Sequence, residues 1–186
     1  SSVVLAAVAQ NGGALKFAAE NLRGDYTLVL AAVKLKGRAL EFSSNELRAE
    51  KEIVLAAVKE NDWAFAHASD ELRADKDFVL QVVSLKGRAL EFASDELKAD
   101  PEVILTAAIE YEWAFDHAAI ELISNRDFIL AAVKLHGLAL EYASENLRSD
   151  REIVLAAVEQ NAEALIYASS DLRSDRELRL SAKLGN

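Results

Sequence analysis

Apolar residues recur along the chain in blocks that begin 25 residues apart, without insertion or deletion. The first block reads Val3-Val4-Leu5-Ala6-Ala7-Val8 and the second Leu28-Val29-Leu30-Ala31-Ala32-Val33. The block returns at residues 53–58, 78–83, 103–108, 128–133 and 153–158, and a partial copy opens at Leu178. In the fifth copy Ile104, Leu105, Ala108 and Ile109 stand at helical spacing. A fixed period in this range predicts a stacked array in which each unit leans on its neighbours. The expected fold is therefore all-α: an α-solenoid of seven full helix-turn-helix repeats and a partial eighth, as one repeat domain over residues 1–186.

Polar residues punctuate each repeat. Before the fifth block, Asp100 is an N-cap candidate, Pro101 suits the first helical position, and Glu102 complements the positive helix end. The same opening recurs at Asp75, Asn125, Asp150 and Asp175, with Glu50 as a weaker version. In even repeats Gly37, Gly87 and Gly137 follow the first helix, which predicts left-handed C-caps. After that helix and a turn, only about 7–11 residues remain for a second, shorter helix. Its small or apolar positions are typified by Ala39, Leu40, Phe42, Ser43 and Leu47. Ser44, Ser69, Ser94, Ser144 and Ser169 then precede triplets such as Glu71-Leu72-Arg73, which predicts a Ser-capped final turn.

Bulk properties narrow the functional classes. Apolar residues make up 52 % of the 186, enough for a continuous core. No apolar run approaches the roughly 18 residues that cross a bilayer. The absence of cysteine excludes disulfides, thiol catalysis and thiolate metal sites. A net charge of −10 argues against nucleic-acid and anionic-membrane partners. Ser1-Ser2 leads directly into the first block, with no signal peptide, so a cytoplasmic location is expected. The first repeat lacks the acidic opening of the others and the eighth is partial. Neither end reads as a cap, so the chain is expected to be a segment of a longer protein whose open ends could self-associate.

The consensus Asp-Lys/Arg-Glu-x-Val-Leu-Ala-Ala-Val-Lys-x-x-Gly-x-Ala-Leu-Glu-Tyr-Ala-Ser-x-x-Leu-Arg resembles an uncharacterised family of α-helical tandem repeats described in pairs of about 50 residues, and residues 150–173 fit it nearly throughout. The resemblance covers essentially the whole chain and implies the fold. It implies no catalytic residue, cofactor or partner.

Function is therefore sought where the repeats differ. A 50-residue alternation overlies the 25-residue one: Leu35, Leu85 and Leu135 end the first helix in even repeats, against Gln10, Glu60, Glu110 and Gln160 in odd ones. It reads either as pairwise packing of repeats or as a trace of duplication. At the turn, successive repeats carry Gly13, Arg38, Trp63, Arg88, Trp113, Leu138 and Glu163. Arg between tryptophans invites guanidinium–indole stacking, which either braces the turns or anchors a protein partner. Trp63, Trp113, Arg38 and Arg88, with Lys36 and Lys86, are the candidate partner-binding residues. The basic residues at the even turns suit a solvated face or an acidic peptide. A second basic row, Arg23, Arg48, Arg73, Lys98, Arg148 and Arg173, reads as structural, facing helix C-termini and the acids that open the next repeat.

His67 and His117 replace an aromatic found elsewhere as Phe17, Phe42, Phe92, Tyr142 and Tyr167, and His136 lies in another register. They read as rim aromatics rather than metal ligands. Carboxylates recur in every repeat, whereas a catalytic pair should be unique and lie in a pocket. The expectation is a non-enzymatic interaction or scaffolding module without cofactor or metal. The alternative is an architectural spacer or self-associating array without a specific ligand.

Overall fold

The computed structural model describes residues 2–184, and among these the chain is all-α with no strand. It falls into two compact units, Ser1–Leu97 and Lys98–Asn186. In both, every repeat opens on a longer helix. These are α1 (Ser2–Gln10), α2 (Tyr26–Leu35), α3 (Lys51–Glu60), α4 (Lys76–Leu85), α5 (Pro101–Ala108), α6 (Arg126–Leu135), α7 (Arg151–Gln160) and α8 (Arg176–Leu184). The expected N-caps form: the carboxylate of Asp75 accepts from the Phe78 amide at 3.0 Å, and that of Asp100 accepts from Glu102 and Val103. Glu50 makes no side-chain cap, its extra methylene carrying the carboxylate past the geometry that Asp achieves.

The second helix of the repeat is not one helix. Its first part is a six-residue 3₁₀ segment, such as Gly37–Phe42 or Asp62–His67. Two residues of extended backbone follow, Ser43 and Ser44 in the second repeat, and then a short helical turn, Asn45–Arg48. The hydroxyls of Ser44, Ser69 and Ser94 cap this turn at 3.3–3.4 Å from the amides of Leu47, Leu72 and Leu97. A segment this short gains little from α geometry, and i→i+3 bonds close it within six residues.

Burial follows one register throughout. In α5 the buried residues are Val103, Ile104, Ala107 and Ala108. Of the residues read above at helical spacing, Ile104 and Ala108 belong to this quartet and Leu105 and Ile109 do not. Ile109 is 64 % exposed. The corresponding quartets of α2 and α3, Leu28, Val29, Ala32, Val33 and Ile53, Val54, Ala57, Val58, are also buried. They join Leu40, Phe65 and Leu47 in the core, each such side chain contributing roughly 1.5–3 kcal/mol on burial. A backbone bond also repeats from unit to unit. Ser44, Ser69 and Ser94 donate their amides to the carbonyls of Arg23, Arg48 and Arg73 at 2.9 Å, and Ala119, Ser144 and Ser169 to Lys98, Ile123 and Arg148 at 2.8–3.0 Å. Each half is thus an α-solenoid pinned at one edge by main-chain bonds that any sequence can supply.

The 50-residue alternation has a structural cause. No described residue has positive φ, so Gly37 and Gly137 are not left-handed C-caps. Each instead opens a 3₁₀ segment against the next repeat, where a β-carbon would lie 2.4 Å from the carbonyl oxygen of Ala57 or Ala157. Glycine is required for space. The odd-repeat polar residue completes the seat: a Glu60 carboxylate oxygen accepts from the Gly37 amide, and the Gln160 amide oxygen accepts from that of Gly137. Three odd 3₁₀ segments are capped from within, the side chains of Asn11, Asn61 and Asn161 accepting from Gly13, Trp63 and Glu163, whereas Tyr111 of repeat 5 makes no such cap. Consistently, α2 packs more extensively on α3 than α3 on α4, and α6 more on α7 than on α5. Leucine burial is not the cause, since Leu35 and Leu85 stay more than two-fifths exposed.

Candidate interaction surface

Within each unit the 3₁₀ segments pack side by side. In the even segments the first, third and fourth residues are buried, as in Gly37, Ala39 and Leu40, which leaves the second residue facing outward. That second residue is the turn row singled out from sequence, and Arg38, Trp63, Arg88, Trp113 and Leu138 are all exposed.

In the first unit Arg38 pairs with Glu41 of its own 3₁₀ segment at 3.2 Å. Trp63 carries a guanidinium, with Arg88 Cζ 5.1 Å from the ring centroid. The Phe92 ring lies 5.4 Å from the indole at 57°. The structure therefore brings Trp63 and Arg88 together and leaves Arg38 to a local partner. Lys36 is exposed and Lys86 half-buried, neither held by an ion pair to the row. His67 stands 4.0 Å from Glu41; burial holds its pKa below the ordinary value against the opposing carboxylate.

In the second unit Trp113 is followed by Leu138 rather than Arg. With Phe115, His136 and Tyr142 they line a depression of about 110 Å³. Phe115 is its base, with the Tyr142 ring at 5.8 Å and the His136 ring at 6.2 Å. His136 Nε2 lies 2.6 Å from the Ala108 carbonyl oxygen. The Tyr142 hydroxyl donates to Asp116 at 2.6 Å; burial first, then this bond, raises the phenol's pKa. His117 stacks on Tyr111 at 6.4 Å. Among the described residues no group of three or more His, Asp or Glu side chains is placed to hold a metal ion.

The second basic row differs in its partners from the expectation. Arg48 and Arg73 turn back to Asn45 and Asp70 of their own short helices, and the Nε atoms of Arg23, Arg48, Arg73 and Arg148 are buried without a hydrogen-bond partner. In three repeats the opening acid is bound instead by the first helical residue of the preceding repeat. Lys51 reaches Asp75 at 2.6 Å, Arg126 reaches Asp150 at 2.9 Å, and Arg151 lies 3.8 Å from Asp175. The Lys51 bond, with the Phe78 amide, holds the Asp75 carboxyl below its usual pKa.

Residues 2–48, 50–98, 75–123, 100–148, 125–173 and 150–182 each match the Domain of unknown function (DUF4116). The chain belongs to that family. Most DUF4116 matches span two repeats, and they begin in odd and in even repeats alike. No curated protein matches the chain, and no solved structure does. Among the described residues no DUF4116 helix here is long and apolar enough to cross a membrane.

Phe92 went unread in the sequence as a partner of Trp63, and Glu60 and Gln160 as partners of the even-repeat glycines. Their signal was present as alternation, but the partner that gives each its role lies at least 23 residues away, the separation of Gly37 and Glu60.

Proposed function

We propose that this protein is a non-enzymatic interaction module that displays its turn row to a protein or peptide partner. The observation that supports this is the exposure of two large aromatics, Trp63 at 48 % and Trp113 at 56 %, on the second residue of 3₁₀ segments whose third and fourth residues are buried. Trp and Arg concentrate binding energy in interfaces, because each offers a large desolvated contact with a polar handle. Arg38 and Arg88, with Lys36 and Lys86, give the first unit's row a positive rim suited to acidic groups on the partner.

The test is capture from the native host with the wild-type protein and with Trp63→Ala/Trp113→Ala, both checked by circular dichroism to be folded. The double variant is expected to lose a specifically retained partner, with truncation of each anchor worth roughly 1–2 kcal/mol. An identical retained set from both proteins would refute display and leave the spacer reading.

A further inference from the structure

The two indoles of the turn row hold equivalent places in repeats 3 and 5, and each is faced by the even repeat that follows. Over Trp63 that repeat supplies a cation, with Arg88 Cζ 5.1 Å from the ring centroid. At Trp113 the residue equivalent to Arg88 is Leu138. The residue equivalent to Phe92 is Tyr142, whose hydroxyl is drawn away to Asp116. Beside Trp113 a depression of about 110 Å³ is left, walled by Trp113, Phe115, Leu138 and Tyr142.

From the first unit to the second the acids of this site are kept and the cations are not. Asp62 and Glu91 correspond to Glu112 and Glu141, both of which line the depression. Lys86 and Arg88 correspond to His136 and Leu138. The other charges nearby do not restore the balance. Lys59 and Ser84 become Ile109 and Lys134, one cation on either pair of helix ends, and Lys134 does not line the depression. Glu60 corresponds to Glu110, which borders Trp113 on its other side. Asp116 replaces Ala66, and its partner is the neutral Tyr142 hydroxyl. Glu141 likewise meets only a phenol, that of Tyr167. His136 turns its Nε2 to the Ala108 carbonyl oxygen.

We infer that this depression receives the arginine side chain of a partner protein, seated over Trp113 as Arg88 is seated over Trp63. The occupant's chemistry is fixed by the chain's own example: the same turn, the same indole and the same pair of acids take a guanidinium in the first unit. A guanidinium is planar and weakly hydrated, so it stacks on an indole face more readily than an ammonium does. Glu112 and Glu141 supply the opposite charge that the chain itself leaves without a cation, and such charge-assisted contacts select arginine over a neutral side chain of similar size. The space admits one head group rather than a length of chain. The inference rests on the display reading, since it takes Trp113 as an anchor and names what the partner brings to it.

The test is an NMR titration of the isotope-labelled protein with acetyl-Gly-Arg-Gly-amide, read at the two indole N–H signals, which Trp63→Phe assigns. The apparent affinity at Trp113 is expected to exceed that at Trp63, already occupied by Arg88, about five-fold. The Lys tripeptide should bind about three-fold more weakly than the Arg one, and the Gln tripeptide should give no comparable response. Leu138→Arg copies Arg38 and Arg88, should fold as those repeats do, and should weaken the Arg tripeptide at Trp113 about five-fold by filling the site from within. Glu112→Gln/Glu141→Gln should weaken it about three-fold. Equal responses at the two indoles, an equal response to the Gln tripeptide, or unchanged affinity in either variant overturns the inference. A dimer in light scattering that Leu138→Arg disperses would make a second copy the source of the arginine and also overturn it. If host capture with Leu138→Arg retains the partner that Trp63→Ala/Trp113→Ala loses, display stands and the arginine site falls. If the tripeptide binds as expected while the double variant retains every partner, display falls and the arginine site stands.

Discussion

Trp63 and Trp113 occupy the same position of the same 3₁₀ segment, 50 residues apart, yet their surroundings differ. Trp63 is sandwiched by the next repeat, with the Arg88 guanidinium at 5.1 Å and the Phe92 ring at 5.4 Å. Trp113 meets Leu138 at the equivalent place, and among the described residues no cation lies over it. Two differences in the following repeat, Leu138 for Arg88 and Tyr142 for Phe92, thus separate an indole that is braced as well as exposed from one that is exposed without a cation over it. A row of identical residues is not a row of identical sites, because each side chain is finished by its neighbour.

The comparison can be broken most severely beneath Leu138. Gly137→Ala drives a β-carbon to within 2.4 Å of the Ala157 carbonyl oxygen, and the rigid backbone there cannot retreat cheaply. A loss of about 1–3 kcal/mol is expected in urea denaturation. Gly24→Ala, whose β-carbon meets nothing closer than 3.8 Å, should be neutral or stabilising by up to about 1 kcal/mol. Equal effects from the two would remove close approach as the reason for glycine.

A smaller effect separates the two indoles directly. Trp63→Ala should cost about 1–2 kcal/mol, combining its cation–π and aromatic contacts, and Trp113→Ala less than about 0.5 kcal/mol. Melting curves that shift equally for both would erase the distinction between bracing and display.

The finest test exchanges the neighbours. Arg88→Leu should weaken the first turn by about 0.5–1 kcal/mol, and Leu138→Arg should strengthen the second by a similar amount. Because the chain holds two tryptophans, each exchange can be followed by emission in a single-tryptophan background. Arg88→Leu should make Trp63 emission resemble that of Trp113. No spectral response in either direction would show that the guanidinium does not sense the indole.

Much of the fold was legible because its causes are local. Asp75, Asp100 and Asp150 cap helices through amides two or three residues on, so their role can be read from sequence spacing. The 25-residue period, the all-α class and the family follow from repetition alone. Gly37 misled for the converse reason: its local reading is a C-cap, and only the Ala57 carbonyl of the next repeat shows that it is a seat. Helical spacing likewise left the core face of α5 open, since it admits both the buried quartet and the one displaced by a residue. The candidate site was legible as a row of turn residues with Arg–Trp stacking expected, but not in which arginine stacks: Arg88 lies over Trp63, while Arg38 turns to Glu41.

By itself, then, the sequence determined where helices start, how often the unit repeats and which face is apolar, since these depend on residues close along the chain. Tertiary structure decided that the second helix splits into a 3₁₀ segment and a capped turn, that glycine and Glu60 or Gln160 lock even repeats to odd ones, and which tryptophan is braced. Those outcomes depend on atoms brought together from adjacent repeats, and no rule of spacing within one repeat contains them.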